Sequence, residues 1–361
     1  MGVRLARRGY SLAATSVSAT QIELELYIYT GVITTDQPVD PTVVLFASMI
    51  PKIGSTNNYA DINIGRYIMD YMETKFNDFS SEDKGVWCGT RYRVYTSGTP
   101  GSWTSISTYA YTPGYGVFGK LQDWNVENQN AVLIEQGTTI YVPIGERLKI
   151  PALDYSPVAF DGYFYNGTTF TDIVTTPGSA TDTNAIISYV EEPIALDTTG
   201  LYRDNGVLDN ILTHKIERVD ARDGEARKII FINQSGALQE MWFFGRRKGS
   251  FKTEGITSRR DTKWYTADPQ ERHQYTDFLK NGRESFILNS GWQVEANNVF
   301  FKDLLMSEQI WINEEYILGS PSKSNFPIRV TSSSMDIKSE RWDKMINYAI
   351  EFEYAFDYAT V

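Results

Sequence analysis

Cysteine and histidine are almost missing from this 361-residue chain: Cys88 stands alone, and the histidines are His214 and His273. One thiol excludes an intrachain disulfide framework and a cysteine-based zinc site. Two histidines leave little for a metal centre or a histidine-dependent catalyst, so neither metal nor cofactor is expected. Long apolar runs are missing too. Nothing approaches the ~18 residues that suggest a membrane helix, and no membrane insertion is expected. Basic charge is in deficit, with 34 Lys and Arg against 45 Asp and Glu and a net charge of −11. Phosphate backbones want a positive field, so nucleic acid is not expected as the main partner. No Gly-x-x-x-x-Gly-Lys-Ser/Thr, Gly-x-Gly-x-x-Gly or Gly-x-Ser-x-Gly stands in a setting suited to phosphate or acyl chemistry. The first ten residues are basic, but Ser11–Ala19 is too polar for the apolar core of a secretory signal, which points to a cytoplasmic origin.

Aromatics, by contrast, are plentiful: 23 Tyr, 18 Phe and 8 Trp favour strands and large contact surfaces. The clearest periodicity lies in Ile346–Phe356, where Ile346, Tyr348, Ile350, Phe352, Tyr354 and Phe356 alternate with Asn347, Ala349, Glu351, Glu353 and Ala355. A period of two predicts a strand with one buried and one wet face. Ile22, Leu24, Leu26 and Ile28 repeat the pattern, and a shorter strand is expected at Val43–Phe46. Ile64, Tyr67, Ile68, Tyr71, Met72 and Phe76 fall at helical spacing behind Asp61, a candidate cap. Strand-like runs then follow at Arg91–Thr96, Ile106–Thr112, Ala131–Ile134, Thr139–Pro143, Phe160–Tyr165 and Ala185–Glu191. Turn signals separate them, including Gly98-Thr-Pro-Gly101, Pro177-Gly178 and a type I′ hairpin at Asn166-Gly167.

The chain is long enough for two domains. Residues 1–20 read as an arm laid on a neighbouring subunit, 21–195 as a β-sandwich-like domain with one helix, and 196–227 as a connector. Residues 228–361 read as an α+β domain closed by strand 346–356, with two helices packed on an antiparallel sheet. Its strands are expected at Lys228–Asn233, Leu238–Phe244, Glu284–Leu288, Gln309–Ile312 and Arg329–Ser333. One helix starts at Asp268-Pro269, uses Tyr275, Phe278 and Leu279, and ends at Asn281-Gly282; the other spans Asn298–Glu308. The fold class is therefore mainly β with a few helices.

Candidate chemistry is sparse. His214 alternates within a strand and His273 sits among polar residues, so both read as structural or solvated. Two carboxylates of a glycosidase could come from anywhere among 45 acids, which leaves an envelope-glycan hydrolase a remote alternative. Arg246, Arg247, Lys248, Lys252, Arg259 and Arg260 gather against one acid, Glu254, which reads either as a solvated loop or as a dock for an acidic subunit face. Glu351 and Glu353 form a mildly acidic strand face that is a candidate interface. Trp103, Tyr109 and Tyr111 lie in a tyrosine-rich stretch and read as sandwich core or as a platform for sugar rings.

The segment Lys228-Ile-Ile-Phe-Ile-Asn-Gln-Ser-Gly-Ala-Leu-Gln-Glu-Met-Trp-Phe-Phe244 resembles structural proteins from the tails of tailed bacteriophages. Phe286–Trp292, Leu304–Ile312, Pro327–Thr331 and Asn347–Tyr354 fit the same pattern, as does Ile62–Tyr71. The resemblance covers about half the chain and implies a non-enzymatic, β-rich ring subunit: a hub, distal-tail or baseplate protein. Its partners would be copies of itself and neighbouring tail proteins in the virion, with nucleic acid met only as a genome in transit. A receptor-binding module that takes a host-surface glycan is the alternative. No functional residue is carried over by the resemblance.

Overall fold

The computed structural model describes residues 2–8, 11–15, 21–29, 45–49, 59–75, 86–114, 124–125, 134–135, 137–153, 161–174, 187–192, 198–203, 211–220, 226–259, 273–315, 323–332, 336–337 and 345–358. The protein is mainly β, with antiparallel sheets and two α-helices among those residues, Gly65–Lys75 and Asn298–Met306. Among them, no helix is long and apolar enough to cross a membrane. The chain groups into two units: residues 1–219 with 231–240 and 299–307, and residues 220–230 with 241–298 and 308–361.

In the first unit, strand Gln21–Tyr29 buries Ile22, Leu24, Leu26 and Ile28, as its alternation requires. It pairs antiparallel with Leu45–Met49 on one side and Val86–Thr96 on the other. Val86–Thr96 continues to Ser107–Thr112, which takes Gly2–Leu5 in parallel, and Trp124–Asn125 completes the row. Residues 2–5, expected as an arm, are thus an inner strand with ladders on both edges, and the adjoining Ala6 is buried in the core. Such a position satisfies backbone groups that a detached arm would leave to water.

Helix Gly65–Lys75 starts later than its cap signal suggests. Tyr59–Asn63 is a strand paired with Ser11–Thr15, so Asp61 belongs to a ladder four residues before the helix begins. The apolar spacing holds: Ile64, Ile68 and Met72 are buried against Leu24, Leu26, Ile28, Val86, Cys88 and Tyr111. Phe76 lies outside the described residues.

A five-stranded sheet runs in the order Thr139–Pro143, Ile211–Val219, Gly200–Arg203, Asp161–Tyr165, Phe170–Val174. Two of its strands lie inside the stretch expected to be a connector, and the first unit ends at Val219. Tyr165 opposes Phe170, so the intervening loop holds four residues and not a two-residue type I′ turn. Asn166 Oδ1 instead accepts from the Thr168 and Thr169 N–H groups at 2.9 and 2.7 Å. Residues 131–133 and Pro177-Gly178 lie outside the described residues.

The second large sheet runs Leu238–Phe243, Arg227–Ile232, Ile310–Glu315, Lys323–Val330, Ala349–Tyr354, Tyr275–Asn289, Lys248–Arg259. The long final strand is interrupted. Met345–Ile346 pairs with Gln293–Val294, the Tyr348 N–H turns to Ser290 Oγ at 2.9 Å, and pairing resumes at Ala349. Burial still alternates through Ile346, Tyr348, Ile350 and Phe352. The helix expected over 268–281 is overturned: Tyr275–Asn289 is one strand, while Asp268-Pro269 lies outside the described residues. The Tyr, Phe and Leu that suggested a helical face are strand residues; Tyr275 and Phe278 pair with Arg259 and Ile256, and Leu279 sits at the register shift between them and Asn281.

Helix Asn298–Met306 buries Phe300, Phe301 and Leu304 and groups with residues 231–240, where the Ile232 N–H donates to Ser307 Oγ at 3.0 Å. The turn between strands Arg227–Ile232 and Leu238–Phe243 needs its glycine. Gly236 has φ +84°, and a Cβ there would come within 2.5 Å of the Gly114 nitrogen.

Candidate interaction site

Strands Lys248–Arg259 and Tyr275–Asn289 form a long antiparallel hairpin, and its outer part stands in water. Every residue from Lys248 to Arg259 is exposed, as are Tyr275–Lys280 on the facing strand, whereas Phe286 and Leu288 at the inner end are buried. A two-stranded ribbon with no third layer is marginal in water by itself. This one nevertheless presents Phe251, Ile256, Tyr275, Phe278 and Leu279 to solvent. Ile256 and Phe278 oppose each other, so they share a face.

The register shifts between Glu254 and Ile256, and across the shift Leu279 adopts φ +52° with 63% of its surface exposed. A left-handed leucine costs about 1 kcal/mol or more, and a bulge re-aims the side chain it carries. Strain spent on holding an apolar side chain in water makes this ribbon a candidate contact surface.

The ribbon is fastened at its base. Arg247 donates to Glu314 Oε2 at 2.8 Å, to Glu284 Oε1 at 2.9 Å and to the Tyr354 hydroxyl at 3.3 Å, with its guanidinium 4.2 Å from the Phe286 ring centre. The Tyr354 hydroxyl donates in turn to Glu314; burial and then that bond push its pKa up to about 12. The C-terminal residues strap the ribbon. The Tyr358 N–H bonds Gly282 O at 2.8 Å, Phe251 and Tyr358 meet edge-on at 5.2 Å, and Arg283 donates to Asp357 at 2.8 Å.

The basic run is therefore a strand and not a loop. Arg246 and Lys248 are exposed at its base, Arg247 is an internal clamp, and Lys252 faces Glu254 at 2.7 Å. The Arg259 guanidinium lies 5.9 Å from the Tyr275 ring centre; Arg260 lies outside the described residues. Lys280 faces Asp277 at 3.3 Å on the partner strand. With Arg247, Lys252, Lys280 and Arg283 all set against carboxylates of their own chain, the ribbon offers mixed apolar and polar contact more than a block of positive charge. Phe278 and Leu279 read in the sequence as the apolar face of a helix, and Arg283 falls between that helix and the strand expected from Glu284. Glu351 is exposed, whereas Glu353 is bound by Arg329 and lies 3.9 Å from Arg283.

No protein-family model matches this chain, and no curated protein matches it.

The structure does not bring Trp103, Tyr109 and Tyr111 together as a platform. Tyr111 is core, Tyr109 packs partly against that core, and the guanidinium groups of Arg91 and Arg93 lie 4.7 and 4.5 Å from the Trp103 ring centre. Those arginines are held by Glu25 and Glu23 at 2.5 Å each. A different aromatic group is assembled on the five-stranded sheet. Tyr165, Phe170 and Tyr202 have ring centres 4.6 to 5.5 Å apart, with Phe170 46% exposed. The signal for it in the sequence was the Asn166-Gly167 hairpin, which sets Tyr165 opposite Phe170.

His214 is buried, its ring nitrogens 3.0 Å from Glu135 O and from Thr213 Oγ1. Burial lowers its pKa to about 4, so the imidazole is neutral at pH 7 and serves as a core polar link. His273 is exposed just before strand Tyr275–Asn289. Among the described residues, no group of three or more His, Cys, Asp or Glu could hold a metal ion.

Proposed function

We propose that this protein is a structural subunit of a bacteriophage tail assembly, a hub, distal-tail or baseplate ring protein, and that it works through contacts between subunits and not through chemistry. The observation that carries this reading is the exposed ribbon 248–259/275–284. A ribbon so long, so apolar and so firmly clamped at its base gains its stability when another chain covers it. The segments that resemble phage tail proteins support the same reading, since Lys228–Phe244, Phe286–Asn289, Ile310–Ile312, Pro327–Val330 and Ala349–Tyr354 contribute strands to the sheet that bears the ribbon.

Sedimentation of the purified chain at about 100 μM, where even a micromolar contact is filled, tests the proposal. Discrete oligomers are expected. The triple change Phe251→Ser, Ile256→Ser, Phe278→Ser, all at exposed positions, should return the chain to monomer with its circular dichroism unchanged. A wild-type monomer at that concentration that also fails to join tail particles would defeat the reading.

The Tyr165, Phe170 and Tyr202 cluster favours a second reading, a host-glycan contact on the virion surface, because sugar rings stack on exposed aromatic faces. Binding on a glycan array that Phe170→Ala abolishes would support it; a silent array would remove it.

A further inference from the structure

The strand order and the sequence of the ribbon bear on which partner its outer edge would fit. Among the described residues, strand Lys248–Arg259 is the last strand of its sheet, and one side of its backbone has no ladder there. The strand at the opposite end, Leu238–Phe243, is buried at every residue and is not open to receive it. Head-to-tail addition of one edge of this sheet to the other is thereby disfavoured, and an edge meeting its own like closes the contact with two copies.

We infer that Lys248–Arg259 pairs antiparallel with the same strand of a second copy, across a two-fold axis at Thr253. The inference rests on the assembly reading above and names the partner of that surface. Directly opposed residues of an antiparallel ladder must point their N–H and C=O groups alike, toward or away from each other. Along one strand that orientation alternates, so a residue can oppose only a residue of the same parity in the second copy. Two such registers overlap nearly the whole strand. Centring on Glu254 sets that carboxylate against its own twin, which is unfavourable. Centring on Thr253 sets Lys252 opposite Glu254 twice, once on each side of the axis, and Phe251 opposite Gly255 twice. The first pairing satisfies opposite charges, and the second sets no side chain against Phe251, whose own ring stays over Gly282 and beside Tyr358. Lys252 and Glu254 already face each other at 2.7 Å within one strand, so the two copies together form a closed group of four charges.

A single cysteine in the full-length chain tests the register. A residue on the axis opposes itself, near enough for a disulfide, whereas its neighbours oppose other residues. Thr253→Cys is expected to give disulfide-linked dimers under mild oxidation by oxidised glutathione. Thr257→Cys, equally exposed but set opposite Gly249, should give less than about a tenth as much, and wild type should give none because Cys88 is buried. Lys252→Glu should weaken association at least tenfold, and Lys252→Glu with Glu254→Lys should restore it. Absence of a Thr253→Cys link, equal linkage through Thr257→Cys, or no rescue by the double reversal overturns the pairing. If the chain still sediments as an oligomer in that case, only the strand pairing fails; a monomer defeats the assembly reading as well.

Discussion

Phe251 occupies the space where a side chain at Gly282 would stand: a Cβ on Gly282 would lie 2.3 Å from the Phe251 Cζ. The same Gly282 carbonyl holds the Tyr358 N–H, and Tyr358 meets the Phe251 ring edge-on. Glycine here is thus required by close approach between chains of the ribbon and strap. Gly282→Ala should drive the Phe251 ring aside and loosen residues 355–358, at a cost of about 1 kcal/mol, since the ring can swing into water. Hydrogen exchange at the Tyr358 amide reads this directly. Unchanged protection there would show that the strap does not depend on the glycine.

Neighbouring cations in the basic run should behave very differently. Arg247 bridges two carboxylates and a hydroxyl, and Glu314 is nearly covered. Lysine offers one compact charge and cannot hold all three. Arg247→Ala should cost about 2–3 kcal/mol because it strands a mostly buried carboxylate, and Arg247→Lys about half of that. Lys248→Ala, one residue away and exposed, should stay within about 0.5 kcal/mol. Urea midpoints of the three variants decide the matter, and equal effects at 247 and 248 would remove Arg247 from its role as clamp.

Strands that bury one face were readable in the sequence. Ile22 to Ile28 and Ile346 to Phe352 show their alternation because water on one side and core on the other impose it. Helix Gly65–Lys75 was readable for the same reason, although its start was hidden: the pairing of Tyr59–Asn63 with Ser11–Thr15 is a long-range event that a local cap signal cannot report. The ribbon was the hardest part. Exposed on both faces, it has no imposed period, so Tyr275, Phe278 and Leu279 fell by chance at helical spacing. Arg247 was noticed as charge, but its role depends on Glu284, Glu314 and Tyr354, which come from three strands brought together by the fold. Exposure on both faces, the feature on which the contact proposal rests, is also what made the ribbon illegible.

His214 gives the first unit a pH dependence of definite sign. Its pKa is lowered from the ordinary 6.5 to about 4, chiefly by burial. Between those values the unfolded chain binds a proton that the folded chain does not, so stability falls as pH falls through that window. The loss attributable to this group is at most about 3 kcal/mol and is complete near pH 4. His214→Gln keeps a polar side chain without the titration. The gap between wild type and variant should therefore narrow or reverse from pH 7 to pH 4.5, as read by denaturant midpoints. Parallel curves across that range would mean that the folded chain takes up the proton without penalty.

Glu351 and Glu353 share a strand face but not a fate. Glu353 is mostly covered, bound by Arg329 and near Arg283, whereas Glu351 is exposed. Glu353→Lys would set three cations together, and with both arginines more than half exposed the cost should be only about 1 kcal/mol. Glu351→Lys should leave stability within about 0.5 kcal/mol. This separates folding from assembly on one face, because Glu351→Lys changes the surface and little else. If that face meets another subunit, Glu351→Lys should shift the sedimentation profile toward smaller species while its thermal midpoint stays at the wild-type value. If the face meets only water, both measurements should match wild type, and contact between copies is left to the ribbon.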